Sequence, residues 1–301
     1  SVTSALQYWN TRQYPIGDVK FTVSLGDVSR SIIISIEKAD FQISAIETDL
    51  ELYLSSNGRS NSQENRDVWE YKGKEGIITT DFNNVNWSSS SGWVIDDNGD
   101  TCLRLQSGST AVVNFKPFTN VTTFGKTIEF EFAIKNINNR NASVISCVQN
   151  GKGVNITADS AILTSDKLKS YCHISDEKKI RVSFTIEGLR ENRMMSIYLD
   201  GVLTSCMQYS GDDNFDHAEY ITIGSAEGYC TVDLYTVRVY SFALSQRNIV
   251  TNYISDIADL TEKKEVYLRN KDNLKCFEFL KKAIFYLLKK LNYNFYTLYQ
   301  Y

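Results

Sequence analysis

The chain has 301 residues, of which 42% are hydrophobic and 12% aromatic, and it carries a formal net charge of −4. This length can bury a sizeable core in one or two domains, and the charge excludes the overall basic footprint of a nucleic-acid-binding protein. Six cysteines without a C-x-x-C pair exclude a dense disulfide scaffold and a zinc motif.

An alternating run within residues 1–39 predicts a β-hairpin. Its apolar positions are Val19, Phe21 and Val23, then Ile32, Ile34 and Ile36 beyond a turn at Gly26-Asp27. The segment DVKFTVSLGDVSRSIIISIE resembles the last two strands of bacterial immunoglobulin-like modules, so residues 1–39 are expected to be a partial module. Residues 40–49 are read as a linker. The chain starts at Ser1 and lacks a charged-then-apolar leader, so we expect a processed or partial chain.

Residues 50–115 predict short strands separated by polar turns. The strand LELYL at 50–54 is followed by a turn-rich loop from Ser55 to Arg66. Beyond Trp87 and Trp93, an acidic turn leads to CLRL at 102–105, which we expect to form a hairpin with AVVNF at 111–115.

Cleaner alternation follows between residues 127 and 201. Ile128, Phe130 and Phe132 point to one side, with Glu129 and Glu131 on the other, which predicts a solvent face for the two acids. Val144, Ser146 and Val148 are expected to continue the same sheet. The runs IRVSFTI and MMSIYL predict two further strands, and Asp200-Gly201 is typical of a type I′ hairpin turn.

The stretch from Glu219 to Tyr253 predicts two strands and a short helix. A strand ending at Gly224 precedes a second one with apolar residues on both faces, which is typical of a strand inside a sandwich. Ser245 is placed to cap the helix, in which Ile249 and Tyr253 share a face.

The order of these segments resembles that of laminin-G-like (concanavalin A-like) domains. The segments that carry the resemblance are LELYL, CLRLQSGSTAVVNF, IRVSFTI with MSIYLDGV, and DLYTVRVYSFALSQRNI. The resemblance implies an all-β, two-sheet antiparallel jelly-roll sandwich over residues 50–258, preceded by the Ig-like hairpin and followed by a tail.

The tail at 259–301 changes composition abruptly, from charged residues to a Lys-, Leu-, Phe-, Tyr- and Asn-rich run after Cys276. One interpretation is a basic amphipathic helix that docks on a membrane or a partner. The favoured alternative is a low-order tail or a segment that is not native in frame, as a shifted reading of AT-rich DNA yields such runs. No membrane contact is expected unless the tail is genuine.

Catalysis has little support in the sequence. Glycoside hydrolases of this fold need carboxylates on one strand face, and Glu129 and Glu131 fit that spacing, but the next position is Ala133. The only histidines are His173 and His217, and no Gly-x-Ser-x-Gly occurs. The chain is therefore predicted not to be an enzyme.

Two acidic clusters are candidates for Ca²⁺. Asp96, Asn98 and Asp100 copy the start of a calcium loop, but Thr101 replaces the glycine and Ser107 the closing glutamate, so a polar turn explains them as well. The second cluster is Asp212 and Asp213, with Asp216 nearby.

A carbohydrate site is the third candidate. Sugar sites combine aromatic faces with amide and carboxylate groups, and Trp87, Trp93, Tyr209 and Asn86 could supply these. The alternative is that both tryptophans plug the sandwich.

Other polar and sulfur positions carry weaker signals. Cys102, Cys147, Cys206 and Cys230 are read as small buried apolar residues, although Cys206 and Cys230 could form a bridge on neighbouring strands. Four glycosylation sequons, at Asn86, Asn120, Asn141 and Asn155, are expected by chance in so Asn- and Ser-rich a chain.

Together these features predict a non-catalytic recognition or structural module. The Ig-like and laminin-G-like combination resembles tail or virion proteins of phages and prophages, and that resemblance implies contact with cell-surface glycan or protein and with other virion proteins. The expected location is a virion or an extracellular bacterial surface. The alternatives are a bacterial adhesin and a glycoside hydrolase of the same fold.

Overall fold

A computed structural model describes residues 17–25, 28–36, 45–106, 108–118, 125–165, 169–174, 178–187, 193–209 and 218–259. One compact unit runs from Ser44 to Asp256, and the other contains the N-terminal hairpin. Several predictions lie outside the described residues: those on Asp212, Asp213, Asp216 and His217, on the Asn120 sequon, and on the tail beyond Asp259.

The N-terminal hairpin is formed by β1 (Gly17–Leu25) and β2 (Val28–Ile36). The two strands pair antiparallel from Gly17 with Ile36 to Leu25 with Val28, as the alternating pattern predicts. A hydrogen bond joins the hydroxyls of Thr22 and Ser31 at 2.8 Å.

The larger unit is a sandwich of two antiparallel sheets, which confirms the predicted fold class. Sheet I has the order β13-β12-β11-β10-β17-β8-β5-β4, and sheet II has the order β16-β15-β14-β9-β18-β7-β6, with β3 paired to β18 beside β7. The strands are β3 (Leu50–Ser55), β4 (Glu70–Gly73), β5 (Gly76–Asn83), β6 (Gly92–Ile95), β7 (Thr101–Leu105), β8 (Thr110–Val113), β9 (Lys126–Lys135), β10 (Ser143–Gln149), β11 (Lys152–Thr157), β12 (Ser160–Thr164), β13 (Lys169–His173), β14 (Ile180–Glu187), β15 (Arg193–Leu199), β16 (Val202–Tyr209), β17 (Ile221–Gly224) and β18 (Thr231–Tyr240).

The core lies between the inward faces of the two sheets. Sheet II contributes Phe130, Phe132 and Phe184, all buried, and sheet I contributes aliphatic side chains such as Ile145 and Val154. Each fully buried side chain of this size stabilises the fold by about 1.5–3 kcal/mol relative to exposure. The alternation that the sequence shows along β9 is therefore the alternation between core and outward face.

Strand β18 is buried at every position, as expected of an interior strand, but its two faces are not those of a simple alternation. A β-bulge shifts the register between Leu234 and Thr236. Val232 and Leu234 face the core before the bulge, and Val237 and Val239 face it afterwards. These four aliphatic residues thus belong to one face, because the extra residue of a bulge reverses the parity of the strand, whereas Tyr235 and Tyr240 pack in separate clusters.

Two predicted strand pairings are wrong. Strands β7 and β8 do not form a hairpin, because β7 pairs with β18 in sheet II and β8 with β17 in sheet I. Strand β10 does not continue the sheet of β9 either; it lies in sheet I, and after an irregularity at residues 143–145 its inward residues are Ile145 and Cys147. Alternation marks a strand but not the sheet it joins.

The type I′ turn is confirmed. Strands β15 and β16 pair up to Leu199 and Val202, and the intervening Asp200 and Gly201 have positive φ angles of 49° and 81°.

The helix α1 (Gln246–Asp259) follows β18. Ser245 caps it as predicted: its hydroxyl accepts a hydrogen bond from the Asn248 N–H at 3.3 Å. Ile249 packs with Tyr198 and Tyr240, which lie on the outward face of sheet II. Among the described residues, no helix has the length and apolar content needed to span a membrane.

Candidate functional site

Four aromatic residues form a rim cluster where the β4–β5 edge of sheet I meets β6 of sheet II: Trp69, Phe82, Trp87 and Trp93. The rings of Trp87 and Trp93 stack with centroids 6.3 Å apart, and Trp69 meets Trp93 edge-on at 5.2 Å. Trp93 is 4% exposed and its indole N–H donates to the Arg66 carbonyl at 2.7 Å. Trp87 is half-buried, and the neighbouring Asn86 is exposed. Trp93 is thus a core residue, and Trp87 connects it to the surface.

The loop beside the rim cluster is held by one amide side chain. Asn61 donates to the carbonyls of Ser88 and Ser91 and accepts from the backbone N–H of Trp93 at 2.8 Å. Gly92 has φ +79°, and a Cβ there would lie 2.4 Å from Cε3 of Trp87 and 2.6 Å from Oδ1 of Asn61. The turn that presents Trp87 therefore requires glycine at position 92.

An arginine covers the inner tryptophan. The Arg59 guanidinium lies 4.9 Å from the ring centroid of Trp93, and it also donates to the carbonyls of Asn65 and Val68. Burial lowers the pKa of Arg59, although an arginine stays charged at neutral pH. The rim is consequently a rigid frame from which Trp87, Asn86 and the serine hydroxyls at 89–90 reach solvent.

The predicted sugar-binding residues are only partly brought together. Trp87, Trp93 and Asn86 share the rim, but Tyr209 ends β16, at the edge of sheet II opposite β6. Nothing is described of the Tyr209 side chain.

The acidic turn after β6 is stabilised by protein donors. One Asp96 oxygen accepts from the backbone N–H groups of Asn98 and Asp100 at 2.8 and 2.9 Å, and the other accepts from the Tyr235 hydroxyl at 2.7 Å. Burial alone would raise the pKa of Asp96, but these hydrogen bonds from Tyr235, Asp100 and Asn98 lower it below its usual value. Burial raises the pKa of Tyr235, so its hydroxyl stays protonated and donates.

Asp100 is neutralised by a lysine. The Lys179 ammonium lies 3.1 Å from Asp100, 3.4 Å from Glu131 and 4.1 Å from the ring centroid of Tyr235. In the part of the chain that the structure describes, no three acidic, histidine or cysteine side chains are grouped to hold a metal ion. The geometry at Asp96–Asp100 favours the interpretation as a polar turn.

Glu129 and Glu131 do not face solvent, contrary to the prediction. They are 1% and 2% exposed, because α1 covers the outward face of sheet II above them. They form a polar layer with Arg181, Arg238, Asn252 and Asp256. Both carboxylate oxygens of Asp256 accept hydrogen bonds from the Arg238 guanidinium at 2.5 Å, and Asp256 also contacts Arg181. The side-chain amide of Asn252 donates to Glu129 at 2.8 Å.

Each charge in the polar layer has an oppositely charged or hydrogen-bonding partner, although burial and the neighbouring Arg181 lower the pKa of Arg238, and Nε and Nη1 of Arg181 are buried without a hydrogen-bond partner among the described residues. Arg181 lies 3.0 Å from Glu131, and Ser183 donates to Glu129 at 2.9 Å. Burial opposes the charge on Arg181, yet the carboxylates of Glu131 and Glu129 outweigh it and raise the pKa of Arg181. Carboxylates held in this way have no open position for a sugar, so the polar layer is structural.

A second ion cluster on the same face is structural too. Asp233 is 0% exposed and pairs with Arg104 at 2.6 and 2.7 Å and with Lys135 at 3.1 Å.

The cysteines behave mainly as apolar residues. Among the described residues Cys102, Cys147, Cys172 and Cys230 are buried and all five cysteines are free. The prediction that Cys206 is buried is wrong, because it lies exposed on the edge strand β16. The predicted Cys206–Cys230 bridge is wrong: both cysteines are free, and three strands of sheet II separate β16, which carries Cys206, from β18, which Cys230 precedes. Burial raises the pKa of both Cys147 and Cys172 to about 12, so neither supplies a thiolate.

The outward face of sheet I is a feature that our sequence reasoning missed. Four of the seven large apolar side chains exposed among the described residues of the sandwich lie on it: Ile77, Val148, Tyr171 and Tyr220. The sequence contains this signal, because along each strand these residues occupy the alternate positions that face away from the core, where polar residues are usual. Their placement on one surface needed the strand order.

Solved structures of similar fold include receptor-binding domains of botulinum neurotoxins. The binding domain of botulinum neurotoxin DC, solved in complex with SialylT, is 14% identical over 71% of this chain and 52% of its own, with a TM-score of 0.51. The receptor-binding domains of serotype D (15% identity, 69% and 53% coverage) and of the C/D mosaic serotype (14%, 69% and 51%) each give a TM-score of 0.48. The first of these likenesses supports the β-sandwich fold.

The chain spans about half the length of these solved chains. No protein-family profile and no curated protein matches it.

Proposed function

We propose that the sandwich is a non-catalytic recognition module that binds a cell-surface glycan or protein. The observation that carries this proposal is the rim cluster: a half-buried indole, supported by Trp93 and Phe82, stands beside the exposed amide of Asn86. An aromatic face next to amide and hydroxyl groups suits a sugar ring, whose C–H face stacks while its hydroxyls accept and donate.

The paired carboxylates support a non-catalytic role. A glycosidase needs one acid able to protonate the leaving group and a second facing the same cleft. Glu129 and Glu131 are buried and bonded to Ser183, Asn252 and Arg181 instead.

A glycan array, run with and without EDTA, tests the proposal. We expect wild-type protein to bind at least one glycan and the Asn86→Ala and Trp87→Ala variants to bind it less. Loss of binding in EDTA would indicate Ca²⁺ at Asp96, Asn98 and Asp100 or at Asp212 and Asp213. Binding to no glycan and to no intact bacterial cell would contradict the proposal and favour a structural spacer.

A hydrolysis assay on the same glycans tests the glycosidase alternative. Inert wild-type protein would end that alternative, whereas activity lost in Glu129→Gln and Glu131→Gln would replace our proposal with it.

The wider setting is also a proposal. The order of laminin-G-like motifs after an Ig-like hairpin supports a phage or prophage tail protein, or a bacterial surface adhesin, with other virion proteins as further partners. Fluorescently labelled protein should then decorate intact cells of a bacterial strain panel. Failure to decorate any strain would count against this setting.

A further inference from the structure

The outward face of sheet I has two rows of residues defined by the strand register. The first row is Asp81, Val112, Thr222, Ser146, Asn155, Ile162 and Tyr171. The second passes through Val148, Gly153, Thr164 and Lys169, and by extension of the same registers includes Tyr220, Asn114 and Thr79. Neighbouring strands lie about 4.8 Å apart, so each row extends roughly 29 Å from β5 to β13.

Exposed aromatic and aliphatic side chains lie at two positions along these rows, one at the β13 end and one near the centre. Tyr171 is 49% exposed at the β13 end, and Tyr220 and Val148, 53% and 38% exposed, lie opposite each other near the centre. Exposed apolar residues gathered on one face, rather than scattered singly, are typical of an interaction surface.

The polar groups between them are hydroxyls and amides. Among the described residues the hydroxyls of Ser146 and Thr222 have no hydrogen-bond partner. The side-chain oxygen of Asn155 accepts one hydrogen bond, from the Ser143 hydroxyl at 2.5 Å. Toward the β5 end, Asn114 donates to Thr79 and to Asp81. The surface thus offers uncharged donors and acceptors in front of a rigid sheet.

Charge is confined to the two ends of the rows. Asp81 lies on β5 and Lys169 on β13, and the positions between them in both rows are uncharged. A nucleic acid or a sialylated glycan is favoured by cations at its phosphates or carboxylates, and the two rows have none between Asp81 and Lys169. The exposed cation beside Tyr220, Lys116, is paired with Glu219 at 3.2 Å.

We infer that the outward face of sheet I binds a neutral polysaccharide chain laid across the strands, with Tyr171 and Tyr220 stacking on separate sugar rings. This inference goes beyond the proposed function, because it assigns a second surface, separate from the rim cluster of Trp87 and Asn86, and names the class of glycan that binds there. Several rings contact the face at once, so affinity rises with the length of the oligosaccharide until the rows are covered.

The probes are an array of neutral linear oligosaccharides of increasing length, together with sialyllactose, followed by calorimetry on the strongest binder. We expect Tyr171→Ser and Tyr220→Ser each to weaken binding by about three- to tenfold, as loss of a stacked ring predicts. The matched control is Ile95→Ser, because Ile95 is 70% exposed on β6, outside this face. All three variants should unfold at the urea concentration of the wild type, since the positions are exposed.

The outcomes separate this inference from the proposed function. Neutral glycans that bind wild type and Ile95→Ser equally, and the two tyrosine variants more weakly, support it. Binding that Asn86→Ala reduces and the tyrosine variants do not would overturn the inference and keep the proposed function. Binding of sialyllactose alone would overturn the neutral class. Binding of no glycan would overturn this inference, whereas the proposed function falls only if the protein also binds no intact bacterial cell.

Discussion

The outward faces of the two sheets differ in both side-chain chemistry and solvent exposure. The face of sheet II carries carboxylates and guanidinium groups, and α1 buries them in a layer where charges are paired. The face of sheet I carries hydroxyls, amides and tyrosines, of which Tyr171 and Tyr220 are about half exposed. Strands of similar alternating sequence thus support a structural face and an exposed one.

The difference teaches how a buried charge is tolerated. Removing carboxylates and guanidinium groups from water costs several kcal/mol per ion, so each must find its partner in a fixed position. Asp256 and Asn252 bring such partners from α1 to Arg238 and Glu129. We expect the polar layer to specify where the helix docks, a constraint that the face of sheet I does not carry.

The largest expected effect follows from breaking the polar layer. Replacing Asp256 by Ala leaves Arg238 and Arg181 without a carboxylate that both contact. We expect the free energy of unfolding to fall by about 3–5 kcal/mol, because Arg238 remains buried without its ion-pair partner, while Arg181 keeps only Glu131. Urea denaturation measures this change.

The matched control for that variant is Asp97→Ala, whose wild-type side chain is 100% exposed. It should change the unfolding free energy by less than about 0.5 kcal/mol. A loss in Asp256→Ala no larger than in this control would mean that the layer does not hold the helix.

A smaller effect, dependent on pH, is expected at the acidic turn beside the polar layer. Asp96→Asn removes a carboxylate that accepts from Tyr235 and two backbone N–H groups, and should cost about 1–3 kcal/mol at neutral pH. The folded pKa of Asp96 is lowered, so its contribution is complete above the unfolded pKa of about 3.9 and is lost as pH falls through the folded value.

Urea unfolding of wild type and Asp96→Asn between pH 7 and pH 3 measures this contribution. The difference between the two proteins should stay constant down to about pH 4 and shrink below it. A difference that does not depend on pH would show that the ionisation of Asp96 is not coupled to folding.

The smallest expected effect is a difference in thiol labelling, which shows where α1 stops covering the outward face of sheet II. Ser196 on β15 is buried, but its partner Cys206 on the edge strand β16 is exposed. A maleimide should therefore modify Cys206 in the native protein, while Cys147 and Cys172 react only after unfolding, since burial also raises the pKa of both to about 12. Peptide mass mapping with and without urea measures this, with Cys206→Ser as the control.

Native modification of Cys147 or Cys172 at the rate of Cys206 would contradict the packing of the core. It would mean that sheet I opens locally on the timescale of labelling.

Local signals in the sequence were sufficient for most elements. Alternation identified β9 and β14 as strands, and apolar residues on both faces identified β18. Asp200-Gly201 identified a type I′ turn, and Ser245 identified the start of α1. These signals depend on neighbours in the chain, through backbone conformation and side-chain parity. The choice of sheet for β8 and β10 could not be read this way, because both sheets accept a half-buried strand.

The candidate site was less accessible from the sequence. Trp87 and Asn86 were found because aromatic and amide residues stood together in a loop, and they share the rim cluster. Tyr171 and Tyr220 were missed because they are distant in sequence and become part of one face only through the order β13-β12-β11-β10-β17.

By itself, the sequence determined that this protein is an all-β sandwich ending in a capped helix, because hydrophobic alternation and turn residues act locally. The tertiary structure alone decided which polar residues are buried and which are available to a ligand. Glu129 and Asn155 occupy equivalent outward parities, yet Glu129 is 1% exposed beneath α1, whereas Asn155 is half-buried on a face that the helix does not cover and bonds to the Ser143 hydroxyl. Parity fixes the side of a sheet, but only the packing of distant elements fixes what lies on that side.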